Sequence, residues 1–256
     1  MLHSDGAATT VVFSHPNHEL AIFGVLQSLR PTLVYLTDGG GEKRVAQTRR
    51  GLDSIGLAER AHFLDYSEQS FYDALLDRDT GFYEEVAQRL RALLRDLRPT
   101  QVLCDSVEFY NPVHDMSLPL VRAALATLPD VVIFEVPLVY QKPAADERYE
   151  IQRISASRRA EQLEWRLSRS ELEAKLSARD RIYTILTAQM GPLLADIPLE
   201  ELAVEVVTPA PALLPQPGGD RVLRYERRAQ ILLERGEIER GITYAGHYLP
   251  VAAALF

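Results

Sequence analysis

The chain holds a single cysteine, Cys104, among its 256 residues. No internal disulfide can form, and any metal site has to be assembled from His, Asp or Glu with at most one thiolate. One thiol fits a reducing compartment. Basic charge is also short: 28 Lys and Arg stand against 36 Asp and Glu, a formal net charge of −8. That balance argues against a protein whose main task is gripping nucleic acid or an anionic membrane. No run of about 18 apolar residues occurs, so no membrane-spanning helix is expected. Met1 to Thr10 lacks a basic segment followed by an apolar one, so no secretory leader is expected and the chain reads as cytoplasmic. No Gly-x-Gly-x-x-Gly follows the first apolar run, which weakens a nucleotide-binding reading. Internal repeats and low-complexity tracts are absent as well.

What is present points to an α/β domain. Hydrophobic residues make up 46% of the chain, enough for a sizeable core. Four short apolar runs, Thr10–Ser14, Thr32–Thr37, Gln101–Cys104 and Val131–Val136, read as strands covered on both faces. Helical stretches lie between them: Leu20–Ser28, then Lys43–Ile55, which stops near Gly56. Phe82–Leu97 carries a stripe of Val86, Leu90, Leu93, Leu94 and Leu97 closed by Pro99. Strand–helix alternation implies a parallel sheet with right-handed crossovers. The strand leading to His15 should lie beside those leading to Thr37 and Asp105. Beyond residue 136 the pattern changes. Ser157–Met190 reads as long, charged and mostly helical, interrupted at Gly191–Pro192. Leu202–Val207 reads as a strand, Pro209–Gly219 as a Pro-rich loop, and Leu223–Arg235 as a helix before an apolar end, Val251–Phe256.

The chemistry gathers at two strand ends. The first strand runs into Ser14-His15-Pro16-Asn17-His18-Glu19. Ligands of open α/β sheets bind at the carboxyl ends of strands. Two imidazoles three residues apart, across a turn begun by Pro16, can face one point. They suit zinc, or they are capping or surface histidines. The segment after the third run, Asp105 to Asp115, supplies His114, with Asp115 beside it as a carboxylate to orient the ring.

In this order the motifs resemble the LmbE-like, or PIG-L, zinc-dependent N-deacetylases. That family reads His-Pro-Asp-Asp-Glu where this chain has His15-Pro16-Asn17-His18-Glu19. Its Leu-Thr-Asp-Gly is matched by Leu36-Thr37-Asp38-Gly39, and its Arg-x-x-Glu by Arg44-Val45-Ala46-Gln47. Its Glu-Gly-Gly-His-Pro-Asp-His-Asp is matched by Glu108-Phe109-Tyr110-Asn111-Pro112-Val113-His114-Asp115. The likeness is good from Val11 to Val136 and loose beyond. It implies a single LmbE-like domain over 1–256, with a metal-site core at 1–136 and a helical extension at 137–256. The implied fold is Rossmann-like, a mostly parallel sheet with helices on both faces plus a helical, loop-rich C-terminal portion. It also implies Zn2+, or another divalent metal, on His15, His18 and His114.

The departures matter. The family's general base falls on Asn17, whose amide cannot accept a proton. Its oxyanion-stabilising His falls on Asn111, which can still donate a hydrogen bond. Phe109 and Tyr110 replace paired glycines, and Tyr110 could polarise a carbonyl. Glu19 reads as a substitute base or a structural carboxylate. Asp38 with Gly39–Gly41 reads as a substrate loop or a tight turn, and Arg44 as a substrate ligand or a helix ion pair. His247 could fold over the site or sit in an exposed tail. His3, His62, Trp165 and the charged Ser157–Arg181 stretch read as surface. The expected activity is removal of an acetyl or other acyl group from an N-acylated sugar or glycoconjugate. The alternative is a relative that has lost hydrolysis and serves as a metal-bound binding or assembly protein, or runs another reaction. Expected partners are that small-molecule or glycoconjugate substrate, with no nucleic acid and no membrane; a homo-oligomer stays open.

Overall fold

The computed structural model describes residues 8–128, 130–141, 149–151, 153, 156–195, 197–218 and 222–256. His3 lies outside them. Strands β1 (Thr9–Phe13), β2 (Thr32–Thr37), β3 (Ala61–Tyr66), β4 (Gln101–Asp105) and β5 (Val132–Val136) pair in parallel. A small antiparallel pair follows, β6 (Val139–Gln141) with β7 (Tyr149–Ile151). β8 (Leu163–Arg166) and β9 (Val204–Pro209) then add to the main sheet antiparallel. The seven strands stand in the order β3-β2-β1-β4-β5-β9-β8. As expected, β1 lies between β2 and β4, with Thr10 opposite both Thr32 and Val102.

The helices in chain order are α1 (Phe23–Leu29), α2 (Glu42–Asp53), α3 (Glu68–Asp77), α4 (Thr80–Leu97), α5 (Pro112–Asp115) and α6 (Ser117–Leu125). Then come α7 (Arg169–Arg181), α8 (Thr184–Ala195), α9 (Leu199–Leu202), α10 (Arg224–Glu234) and α11 (Leu249–Leu255). They cover both faces of the sheet, which is why every residue of β1 and β4 is buried. Alternate strand residues feed opposite cores. Val12, Val102 and Cys104 pack under α4, α6 and α11, while Val11, Phe13 and Leu103 pack under α1 and Leu52 of α2. α4 buries Tyr83, Val86, Ala87, Leu90 and Leu94 along one side. Its N-cap Asp79 accepts from the Phe82 amide at 3.0 Å. Among the described residues no helix is long and apolar enough to cross a membrane.

Two features differ from the sequence reading. Residues 163–166 form β8 rather than part of a helix, because Leu163, Glu164, Trp165 and Arg166 alternate inward and outward against β9. The helix begins only at the Ser168–Glu171 capping box. α8 continues through Gly191–Pro192 to Ala195, and the break falls earlier, at Ile182–Tyr183.

A buried ion pair ties α1, α7 and β9 together. Glu205 Oε1 accepts from Lys175 Nζ at 3.0 Å and from the Gly24 amide at 3.0 Å, and Oε2 accepts from the Val25 amide at 2.8 Å. Both charged side chains are almost fully enclosed. At Gly24 a Cβ would stand 2.2 Å from Leu167 Cδ2, so any larger residue would have to displace that leucine's tip. Lys175→Met removes one charge and strands the other. It is expected to cost about 3–5 kcal/mol in urea unfolding. A loss below about 1 kcal/mol would mean that the pair contributes little.

Candidate metal centre

The sheet order reverses between β1 and β4, since the chain leaves β1 toward β2 and later returns to β4 on the other side. Diverging crossovers open a crevice at the carboxyl ends of two such strands. β1 delivers His15 and His18 there, and β4 delivers Asp105 and the loop to His114. After His15, Pro16 starts a turn in which Asn17 takes φ 80°, a left-handed conformation that asparagine tolerates. The short 3₁₀ turn His18–Ile22 follows, bringing His18 back over the same strand end. His114 rides on α5, where Pro112 occupies the first turn and the Asn111 side chain caps by accepting from the Val113 amide at 2.9 Å.

The three imidazoles meet edge to face. Ring centroids stand 5.1 Å apart for His15 and His18, 4.6 Å for His15 and His114, and 4.4 Å for His18 and His114. One ring nitrogen from each lies within 4.8 Å of the others, and all three residues are buried. Metal–imidazole bonds are about 2 Å, so nitrogens sharing one ion stand at most about 4 Å apart. A closure of under about 1 Å would bring all three within reach of one ion.

Hydrogen bonds set the tautomers. Thr37 Oγ1 donates to the Ser14 carbonyl at 2.8 Å, so toward His15 Nδ1 at 2.9 Å it can only accept. His15 thus carries its proton on Nδ1 and leaves Nε2 with a free lone pair. His18 Nδ1 donates to Asp105 Oδ1 at 3.0 Å, which frees its Nε2 in the same way. Asp105 Oδ2 is held by the Ser14 amide at 2.7 Å and the Ser14 hydroxyl at 2.6 Å. Burial, with the neighbouring imidazoles and Arg44, pushes both His15 and His114 well below the ordinary histidine range. They stay neutral, as metal ligands must. His15 Nε2 and His114 Nδ1 are buried with no hydrogen-bond partner. Buried imidazole nitrogens without a partner, in a trio whose ring nitrogens come within 4.8 Å of one another, fit a divalent ion.

The trio opens into a cavity of about 1270 Å³ that Asn17, Arg44, Tyr110 and Asn111 also line. The Asn17 Nδ2 donates to Thr48 Oγ1 at 3.1 Å and to the Arg44 carbonyl at 3.3 Å. Arg44 donates from Nε to Asn17 Oδ1 and from a terminal nitrogen to the Gly39 carbonyl at 3.0 Å. Gly39 has φ 62°, and its Cα faces His15 Cβ and Pro16, so a side chain there would be strained and crowded. Asn111 Oδ1 also accepts from Tyr72 at 3.1 Å, which leaves its amide N–H groups as the part it can offer. The Tyr110 ring stands tilted 6.4 Å from that of His114, with its hydroxyl near Met190.

Other expected residues stand elsewhere. Asp38 does not line the cavity. Its carboxylate accepts from the Gly40 and Glu68 amides at 3.0 and 2.9 Å and braces a turn. Asp115 does not orient His114 but accepts from the Glu108 and Phe109 amides, shaping the loop. Burial raises its pKa to about 8. Glu19 is fully buried away from the cavity beside Thr48, Tyr183 and Tyr35, and burial raises its pKa. His247 caps its own turn through Thr243, and His62 is exposed.

Three contributors escaped the sequence reading. Thr37 and Asp105 orient the histidines. Glu68, at the start of α3, lines the cavity with Oε1 3.3 Å from His15 Nε2, which carries no proton in this tautomer and has no hydrogen-bond partner. Thr37 lay inside a quoted motif. The pairing of Asp105 with His18 spans 87 positions, and only the β1–β4 register brings it about.

No protein-family model matches the chain, and no curated protein matches it in sequence. Solved structures do match. The chain is similar to the A40926 pseudoaglycone deacetylase, with TM-score 0.56 and 11% identity over 80% of this chain and 97% of that one. It is also similar to a triple mutant of a deacetylase of the teicoplanin biosynthetic pathway, with TM-score 0.52 and 12% identity over 79% of this chain and 97% of that one. At such identities the likeness shows a shared α/β fold.

Proposed function

We propose that this chain is a divergent metal-dependent amide hydrolase that removes an acetyl or other acyl group from an N-acylated sugar or glycoconjugate. The observation that carries the reading is the pair of tautomers set by Thr37 and Asp105, which leave Nε2 of His15 and His18 unprotonated in a buried three-histidine cluster beside a large cavity. That proteins of the same fold are named deacetylases supports it. We read the chain as one domain, since β9 pairs with β5 and α11 packs into the core of α4 and α6.

His15, His18 and His114 would hold zinc or a similar divalent ion. Such an ion supplies a Lewis acid that polarises the acyl carbonyl and acidifies water. The chain's own groups do the rest. Asn111 donates from its free amide N–H to the oxygen that gains charge as water attacks. Tyr110 closes the wall beside it. Asn17 cannot take the attacking water's proton, and its amide positions Arg44 instead. Among the described residues, the acidic side chains that line the cavity are Glu42, which is exposed, and Glu68, which faces His15. Glu68 is therefore the group assigned to accept the proton and return it to the departing amine.

The test is acetate release from a panel of N-acetylated sugars by the metal-loaded parent, Glu68→Gln and Asn17→Asp. A positioned base contributes about 10²–10⁴-fold, so Glu68→Gln should lose that much while keeping its metal. Asn17→Asp should raise the rate, because it restores a carboxylate at a position whose backbone already suits aspartate. Turnover by none of the three, with metal bound in all, would favour a non-hydrolytic binding protein. The amide at position 17 is the feature on which that second reading stands.

A further inference from the structure

The chain as a whole is acidic, at −8, yet this cavity is basic. Lys43, Arg44, Arg224, Arg228 and Arg240 line it. Among the described residues, Glu42 and Glu68 are the acidic ones that oppose them. Two of the cations are committed: Arg44 to Asn17 and Gly39, and Arg240 to Asp77 in an exposed ion pair at 2.6 Å. Arg224 and Arg228 differ. They stand four residues apart on α10, which places both on one helix face. Among the described residues neither makes an ion pair.

We propose that these two arginines form an anion subsite, and that the molecule cleaved carries a phosphate or carboxylate besides its N-acyl group. Arg224 Cζ lies 4.1 Å from the centroid of the Tyr110 ring, and that centroid lies 6.4 Å from the His114 ring. Stacking on Tyr110 fixes the guanidinium plane and leaves its donors free at the edge. The guanidinium therefore stands no more than about 10.5 Å from the His114 ring, a span that a sugar with a charged substituent can bridge. Arg228, one helical turn on and more exposed, widens the subsite toward the mouth. A planar fork with five donors suits either oxyanion, and a charge-assisted contact contributes about 1.5–3 kcal/mol, or roughly tenfold or more in affinity.

This deepens the hydrolase reading in assigning the acyl group to the metal end, but its test does not depend on turnover. Calorimetric titration of the metal-loaded protein would compare N-acetylglucosamine with its 1-phosphate, its 6-phosphate and N-acetylmuramic acid. At least one charged sugar should bind at least about tenfold tighter than the neutral one, with the advantage shrinking as salt is raised. The phosphate and carboxylate arms separate the two sources of charge. Arg224→Gln/Arg228→Gln should erase the advantage and leave the metal content and melting temperature near those of the parent; the single Arg228→Gln change, at an exposed position, should reduce it in part. Equal binding of the neutral sugar, an advantage that survives in the double variant, or no binding of any charged sugar would overturn the proposal. Acetate release without any anion preference would sink this inference alone. Anion preference without acetate release would sink the hydrolase reading alone.

Discussion

His114→Ala is expected to lower the metal content from about one ion per chain to a small fraction and acyl hydrolysis by at least about 10³-fold. Structural zinc sites bind with apparent energies of about 10–16 kcal/mol over four ligands, so one ligand in three represents several kcal/mol. The fold should tolerate the change. His114 Nδ1 has no hydrogen-bond partner, so alanine strands nothing, and α5 keeps its Asn111 cap and Pro112. The metal-free variant should therefore melt within a few degrees of the metal-free parent. The contrast lies in the response to zinc, because an ion that binds only the folded state raises its melting temperature by mass action. The parent should show that rise and the variant should lose it. Metal content equal to the parent's would remove His114 from the ligand set.

Asp105→Asn is expected to weaken metal binding by about 10–100-fold, although residue 105 touches no ion. The carboxylate accepts three hydrogen bonds from three donors: the Ser14 amide, the Ser14 hydroxyl and His18 Nδ1. An amide can satisfy one side only. If its oxygen faces Ser14, its NH₂ faces His18 Nδ1, which must then accept. The His18 proton moves to Nε2 and points where the ion would sit. If its oxygen faces His18, two buried donors confront each other at Ser14, at about 1–3 kcal/mol. Either orientation harms the site. A chelator-competition titration measures the loss, and unchanged affinity would show that His18 needs no partner to hold its tautomer.

The parts of this account that were legible in the sequence share a physical cause. β1 and β4 are buried on both faces, so Thr9–Phe13 and Gln101–Asp105 read as near-continuous apolar runs, and the polar residues that follow mark the strand ends. His15, His18 and His114 could be picked out for that reason. β3 and β8 are edge strands, with residues half buried in alternation. Their short alternating pattern has no such run, and residues 163–166 were absorbed into a charged helical stretch. Losing β3 hid α3, and with it Glu68. Asp105 was visible as a residue but not as the partner of His18, because its role depends on strand register rather than on neighbours in sequence. Asp115 misled for the opposite reason. It adjoins His114 in sequence, yet on the single turn of α5 it faces the amides of Glu108 and Phe109.

The measurement that tests the central claim most directly is an anomalous-difference map from crystals of the untagged protein soaked in zinc. The account predicts one strong peak per chain, about 2.0–2.1 Å from His15 Nε2, His18 Nε2 and a His114 ring nitrogen, at the floor of the cavity. No peak there, or a peak held by other residues while these three imidazoles keep their metal-free positions, would contradict it.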